Sequence, residues 1–141
     1  MDIRHITQDY AVTPQIAVED IPAIAAAGFT AIICNRPDGE VPPSHQAAAI
    51  EAAAKAAGLS FTVNPVTHQT LNMDMVAVQK AAWEDATGPV LAYCASGTRS
   101  SIVWSLGQAG QMATDAIIEA TAKAGYDLAG MRGQLDGLAQ K

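Results

Sequence analysis

Apolar and polar positions along the chain alternate between a period near three and a half and short unbroken apolar runs. Two short extended pieces, 3–7 and 10–13, precede Pro14. Residues 18–27 then carry apolar side chains at helical spacing, with Glu19 and Asp20 in the first turn, where the helix dipole favours acids, and Gly28 as the stop. Residues 29–35 form a β-branched run suited to a buried strand, and Pro37-Asp38-Gly39 turns the chain after it. Residues 44–57 predict a helix, with Ser44 as candidate N-cap and Gly58 as its end. A second strand over 59–66, interrupted by Pro65, leads to a helix over 73–86 with Asn72 or Asp74 at its start. Gly88-Pro89 breaks that helix and opens the apolar strand 90–94. Beyond a tight polar loop come helical segments 100–108, 113–124 and 129–139, punctuated by glycines 110, 125 and 130. This order predicts an α/β fold, a small parallel sheet flanked by helices on both faces, as one domain over residues 1–141. No internal repeat or low-complexity linker interrupts it.

Composition narrows this picture. Of 141 residues, 50% are hydrophobic and 16% charged, which excludes a disordered chain and supplies a core. Much of the apolar share is alanine, so the larger Ile, Val, Leu, Met and Trp side chains must anchor that core. A net charge of −6 argues against nucleic acid and anionic membranes as partners. It leaves room for a small anionic ligand, because a local nest of backbone N–H groups outweighs distant charge. No apolar signal core follows a basic start, and the longest apolar stretch, 21–34, is broken by Pro22, Gly28 and Thr30. The expected location is the cytoplasm. Two cysteines are too few for a disulfide framework, and three scattered histidines show no metal-ligand spacing, so neither a metal nor another cofactor is expected.

The chemistry concentrates in Tyr93-Cys94-Ala95-Ser96-Gly97-Thr98-Arg99-Ser100-Ser101, between an expected strand and an expected helix. Ligands of open α/β sheets bind at such carboxyl strand ends. Small residues from Ala95 to Thr98 let backbone N–H groups converge, Gly97 permits a positive φ, and the following helix adds its positive end. Arg99 adds a planar fork for two oxygens of a tetrahedral anion. A thiol in that field is favoured as thiolate, which makes Cys94 the candidate nucleophile. Ser100 is placed to donate to the thiolate or to a departing sulfur.

The loop resembles the active-site loop shared by cysteine phosphatases and rhodanese-type sulfurtransferases. Phosphatases place five residues between Cys and Arg; here there are four, the Cys-x-x-Gly-x-Arg form of rhodaneses. The Asn35-Arg36-Pro37-Asp38-Gly39-Glu40 run, the Pro65-Val66 strand end and Gly88 through Cys94 resemble the phosphatase-like domain of the bacterial beta-lactamase-hydrolase-like proteins over roughly residues 1–110. That resemblance implies a dual-specificity-phosphatase-like fold with a rhodanese-like loop. It also implies a functional link to a persulfide dioxygenase, whose His-x-His-x-Asp-His zinc signature this chain lacks. Dual-specificity phosphatases carry a general-acid Asp after the strand that precedes the Cys strand, whereas the matching Pro65-Val66-Thr67-His68-Gln69-Thr70 holds no carboxylate.

The short loop and the missing acid favour sulfur transfer. Cys94 would take the outer sulfur of thiosulfate or a low-molecular-weight persulfide and pass it to a thiol acceptor, in ping-pong order. Two alternatives stay open: a tyrosine or dual-specificity-type phosphatase with a cysteinyl-phosphate intermediate, and a non-catalytic persulfide or anion binder. Asp38, Arg36 and His68 are accessory candidates, Asp38 as a replacement acid or a plain turn residue. Cys34 reads as a small core hydrophobe, able to pair with Cys94 if the strand ends are neighbours. The segment past Gly110 is expected to complete the helical layer.

Overall fold

Successive side chains of a strand point to opposite faces of a sheet, and the central strands here feed a separate core on each face. The computed structural model describes residues 1–140. Its sheet contains β1 (Arg4–His5), β2 (Tyr10–Thr13), β3 (Ala31–Cys34), β4 (Ser60–Val63) and β5 (Val90–Tyr93), in the order β1-β2-β5-β3-β4. β2, β5, β3 and β4 run parallel, with Ala31 opposite Val90 and Cys34 opposite Tyr93. On one face Ala11, Ile32, Cys34, Leu91 and Tyr93 pack against α1 (Ile21–Ala26) and α2 (Ala47–Ala56). On the other, Tyr10, Val12, Ile33, Val90 and Ala92 meet side chains from α3 (Met73–Asp85), α4 (Thr98–Gln108), α5 (Thr114–Lys123) and α6 (Arg132–Ala139). Trp104 is buried at the centre of this second core, stacked on Tyr10 with ring centroids 6.0 Å apart. Gly107 lies one turn on, where a Cβ would press within 2.6 Å of the Trp83 ring of α3, so its bare backbone lets α3 and α4 approach.

The structure corrects several local expectations. The sheet is not wholly parallel: β1 is antiparallel to β2, because a tight turn bonds the Ile6 and Thr7 N–H groups to the Tyr10 carbonyl. The strand expected over 59–66 shortens to Ser60–Val63 and lies at the sheet edge, where Val63 is exposed. The helix expected from Ser44 begins at Ala47, because Pro43–His45 forms a 3-10 turn and Gln46 is extended. The helix expected from Ser100 begins at Thr98, because Gly97 at φ +94° reverses the chain directly into it. The last segment is a 3-10 turn at Ala129–Met131 followed by α6. No helix among the described residues is long and apolar enough to cross a membrane.

Trp104→Ala is expected to lower unfolding stability by about 3–5 kcal/mol, the usual cost of emptying a large aromatic site in a core. Urea unfolding followed by circular dichroism measures it.

Candidate active site

The loop after β5 sits at the carboxyl end of a strand with parallel neighbours on both sides. Cys94 is fully buried at its floor, and the Gly97 N–H donates to Cys94 Sγ at 3.1 Å. Gly97 caps α4, so Arg99 lies in the first helical turn rather than ahead of the helix. First-turn N–H groups have no carbonyl one turn back to bond, and they carry the positive end of the dipole. Ser96 ties the rim together, its hydroxyl donating to Thr98 Oγ1 at 3.0 Å and accepting the Thr98 N–H at 3.4 Å.

Arg99 is held end-on by Glu40, the last residue of the Asn35–Glu40 run. Its Nη1 donates to Glu40 Oε2 at 2.9 Å and to the Val66 carbonyl at 2.7 Å, and its Nη2 donates to Glu40 Oε1 at 2.7 Å. The Nε–H and the second Nη2 proton are taken by neither partner, which leaves the side edge of the fork free of Glu40 and Val66. Glu40 also receives Arg36 Nε at 3.3 Å. The hydrogen bond from Arg99 holds the Glu40 carboxyl below the usual glutamate range, against the opposing effect of burial. The same bond raises the Arg99 guanidinium above its ordinary value, with Cys94 close enough to contribute.

Beneath the loop lies a polar network that the sequence hid. Asn35 and Gln79 are fully buried and pair their amides: Asn35 Nδ2 donates to Gln79 Oε1 at 2.7 Å, and Gln79 Nε2 donates to Asn35 Oδ1 at 2.8 Å. Asn64 Nδ2 donates to Gln79 Oε1 at 2.9 Å, and Gln79 Nε2 also reaches Tyr10 Oη at 3.1 Å. The Tyr10 hydroxyl donates to the Ser100 carbonyl at 2.9 Å, and burial pushes that phenol well up. The Ser100 hydroxyl donates to Asn35 Oδ1 at 2.9 Å. Its one proton is therefore committed to the network and not, as the sequence suggests, to the thiolate or a departing sulfur. The available signal was Gln79 within the apolar stripe Val76–Gln79–Trp83 of α3, a buried polar residue that needs partners.

Other candidates separate clearly. His68 lines a cavity of about 330 Å³ over the loop, together with Glu40, Thr67, Gln69, Ser96 and Arg99. Asp38 lies outside that lining, its carboxylate accepting the Ala47 N–H at 2.8 Å at the start of α2. Arg36 braces Glu40 and Gln15, the latter at 3.3 Å. Cys34 and Cys94 are both free thiols. Cys34 lies in the α1/α2 core, where burial pushes its thiol up. His5 stacks on Phe29, and His45 bonds the Ser44 hydroxyl.

Glu40→Gln is expected to loosen Arg99 and to weaken the protein in a pH-dependent way. Because the folded Glu40 carboxyl sits below its unfolded value of about 4.3, its stabilisation is fully present above that pH and is lost as pH falls through the lower folded value. Unfolding titrations of both proteins should therefore differ at neutral pH and converge in strong acid.

The fold has known relatives. A crystal structure of a candidate phosphatase from Neisseria meningitidis is 34% identical, with a TM-score of 0.84 over 98% of this chain and 99% of that one. A variant of P. aeruginosa TpbA in complex with phosphotyrosine shares the fold at 14% identity, with a TM-score of 0.66 over 99% of this chain and 88% of that one. The beta-lactamase hydrolase-like protein of Agrobacterium fabrum is 33% identical over 109 residues, which are 77% of this chain and 25% of that protein. This chain thus spans about a quarter of that relative's length. With residues 2–111 matching the family model, the chain belongs to the phosphatase-like domain family of the beta-lactamase hydrolase-like proteins.

Proposed function

We propose that the protein is a cysteine-dependent hydrolase of the phosphatase type, acting on small phosphate monoesters. The observation that carries this reading is Cys94 Sγ bonded by the N-cap N–H of α4 and lying close to Arg99 in the first turn of that helix, on a phosphatase-like scaffold. Cys94 thiolate attacks phosphorus, the bond to the leaving oxygen breaks, and the three remaining phosphoryl oxygens rest on the loop N–H groups and Arg99. Water then attacks the cysteinyl phosphate, the S–P bond breaks, and phosphate leaves with the thiolate restored. Glu40 is held ionised by Arg99 and has no proton to give. His68, on the cavity wall, is the residue that hands a proton to the leaving oxygen and takes one from the attacking water.

A second reading, transfer of sulfane sulfur from thiosulfate or a persulfide to a thiol, is favoured by the four-residue spacing from Cys94 to Arg99 and by the absence of a carboxylate from residues 65–70. Sulfite leaves without a proton donor, so this chemistry does not call on His68.

Mass spectrometry of the trapped protein separates the two. Brief exposure to an aryl phosphate is expected to add one phosphoryl group on Cys94; one added sulfur from thiosulfate, with no phosphoryl adduct, would replace the first reading with the second. His68→Asn is expected to slow turnover of an alkyl phosphate by about 10²-fold or more and of an activated aryl phosphate far less. Equal losses on both substrates would remove His68 from the proton path.

A further inference from the structure

The C-terminal segment reaches the nucleophile. α5 ends in a Schellman motif: the Gly125 N–H donates to Ala122 O at 3.0 Å and the Tyr126 N–H to Thr121 O at 2.9 Å, with Gly125 at φ +101°. That reversal aims Tyr126 at the loop after β5. Arg4 holds the ring from behind, its guanidinium 5.9 Å from the ring centroid while Nη1 donates to the Ala124 carbonyl at 3.0 Å. The Tyr126 hydroxyl donates to the Ser96 carbonyl at 2.9 Å.

Ser96 C=O and Gly97 N–H belong to one trans peptide plane, so they point in opposite directions. A donor fixed on the carbonyl side therefore sends the N–H the other way, where it meets Cys94 Sγ at 3.1 Å. A glycine on one flank makes rotation of this peptide cheap, so loop sequence alone does not choose its direction. Donation to the carbonyl also polarises the N–H and strengthens its bond to sulfur. Position 97 is restricted from the same side, because a Cβ there would collide with the Tyr126 hydroxyl.

We propose that Tyr126 is a positioning residue for the nucleophile: by holding the Ser96 carbonyl, its hydroxyl orients the 96–97 peptide so that the Gly97 N–H stabilises the Cys94 thiolate. Tyr126 lies beyond the residues matched by the family model. The inference rests on Cys94 as nucleophile, and not on whether phosphorus or sulfur is attacked.

Alkylation of Cys94 by iodoacetamide, followed by mass spectrometry across pH, reads the thiolate without any turnover, so a failed phosphatase assay leaves this test intact. Tyr126→Phe keeps the ring and removes the donor. It is expected to raise the pH midpoint of alkylation by about one unit, the scale of one hydrogen bond to a charged group. Ile117→Val, a core change in α5 that leaves the hydroxyl in place, is expected to keep the wild-type midpoint. An unmoved midpoint in Tyr126→Phe, or the same shift in both variants, overturns the proposal. If Tyr126→Phe does not fold, site-specific 3-fluorotyrosine at position 126 supplies a stronger donor of nearly equal size. It is then expected to lower the midpoint, and no change would overturn the proposal equally.

Discussion

An arginine only 9% exposed must find acceptors for its guanidinium, and the way Arg99 meets them organises this end of the molecule. Its acceptors come from two other loops: Glu40 follows β3, and Val66 follows β4. Three loops at the carboxyl ends of three parallel strands are thereby tied to one planar group. The bidentate geometry matters as much as the charge, since a fork fixed along one edge presents the other in a defined direction. An ammonium at the same place would supply charge without that direction.

The same end rests on a buried layer of amides that is more specific than an apolar core would be. Asn35, Asn64 and Gln79 satisfy one another and pass the remaining bonds to Tyr10 and Ser100. Unpaired, each buried amide would cost about 1–3 kcal/mol, so the network admits few other arrangements of β3, α3 and α4. The Tyr93 hydroxyl, buried on the opposite face beside Cys34, joins no such network.

Family membership and scaffold agree on a phosphatase-like domain, while the loop departs from phosphatases by one residue. A shorter ring changes the size of the cradle more than its charge. Phosphoryl and sulfane-sulfur transfer both need a thiolate, a helix N-terminus and a guanidinium, and they part at the leaving group. Alkoxide needs a proton and sulfite does not, so the surroundings of His68 bear on the reaction more directly than the nucleophile does.

Much of the fold was legible in the chain because its signals are local. Period, glycine stops and the short apolar runs placed β2, β3 and β5 and the major helices to within a few residues, and the sequence Cys94-x-x-Gly97-x-Arg99 at a strand end marked the candidate site. Edge position, the antiparallel β1 and the 3-10 entry to α2 were not legible, since each depends on which backbone groups find partners elsewhere. The roles of Glu40, Gln79 and Tyr126 were hidden for the same reason. Glu40 lies 59 residues from Arg99, Tyr126 lies 30 from Ser96, and Gln79 reaches the Ser100 hydroxyl through Asn35, 44 residues away; no spacing rule links positions joined only by folding. By itself the sequence picked out Cys94 as candidate nucleophile, Arg99 beside it and the alternation of elements, which are contiguous properties of the chain. The tertiary structure decided how Arg99 is gripped, where the Ser100 proton goes and which donor meets the Ser96 carbonyl, because a hydrogen bond's direction is set by its partner in space.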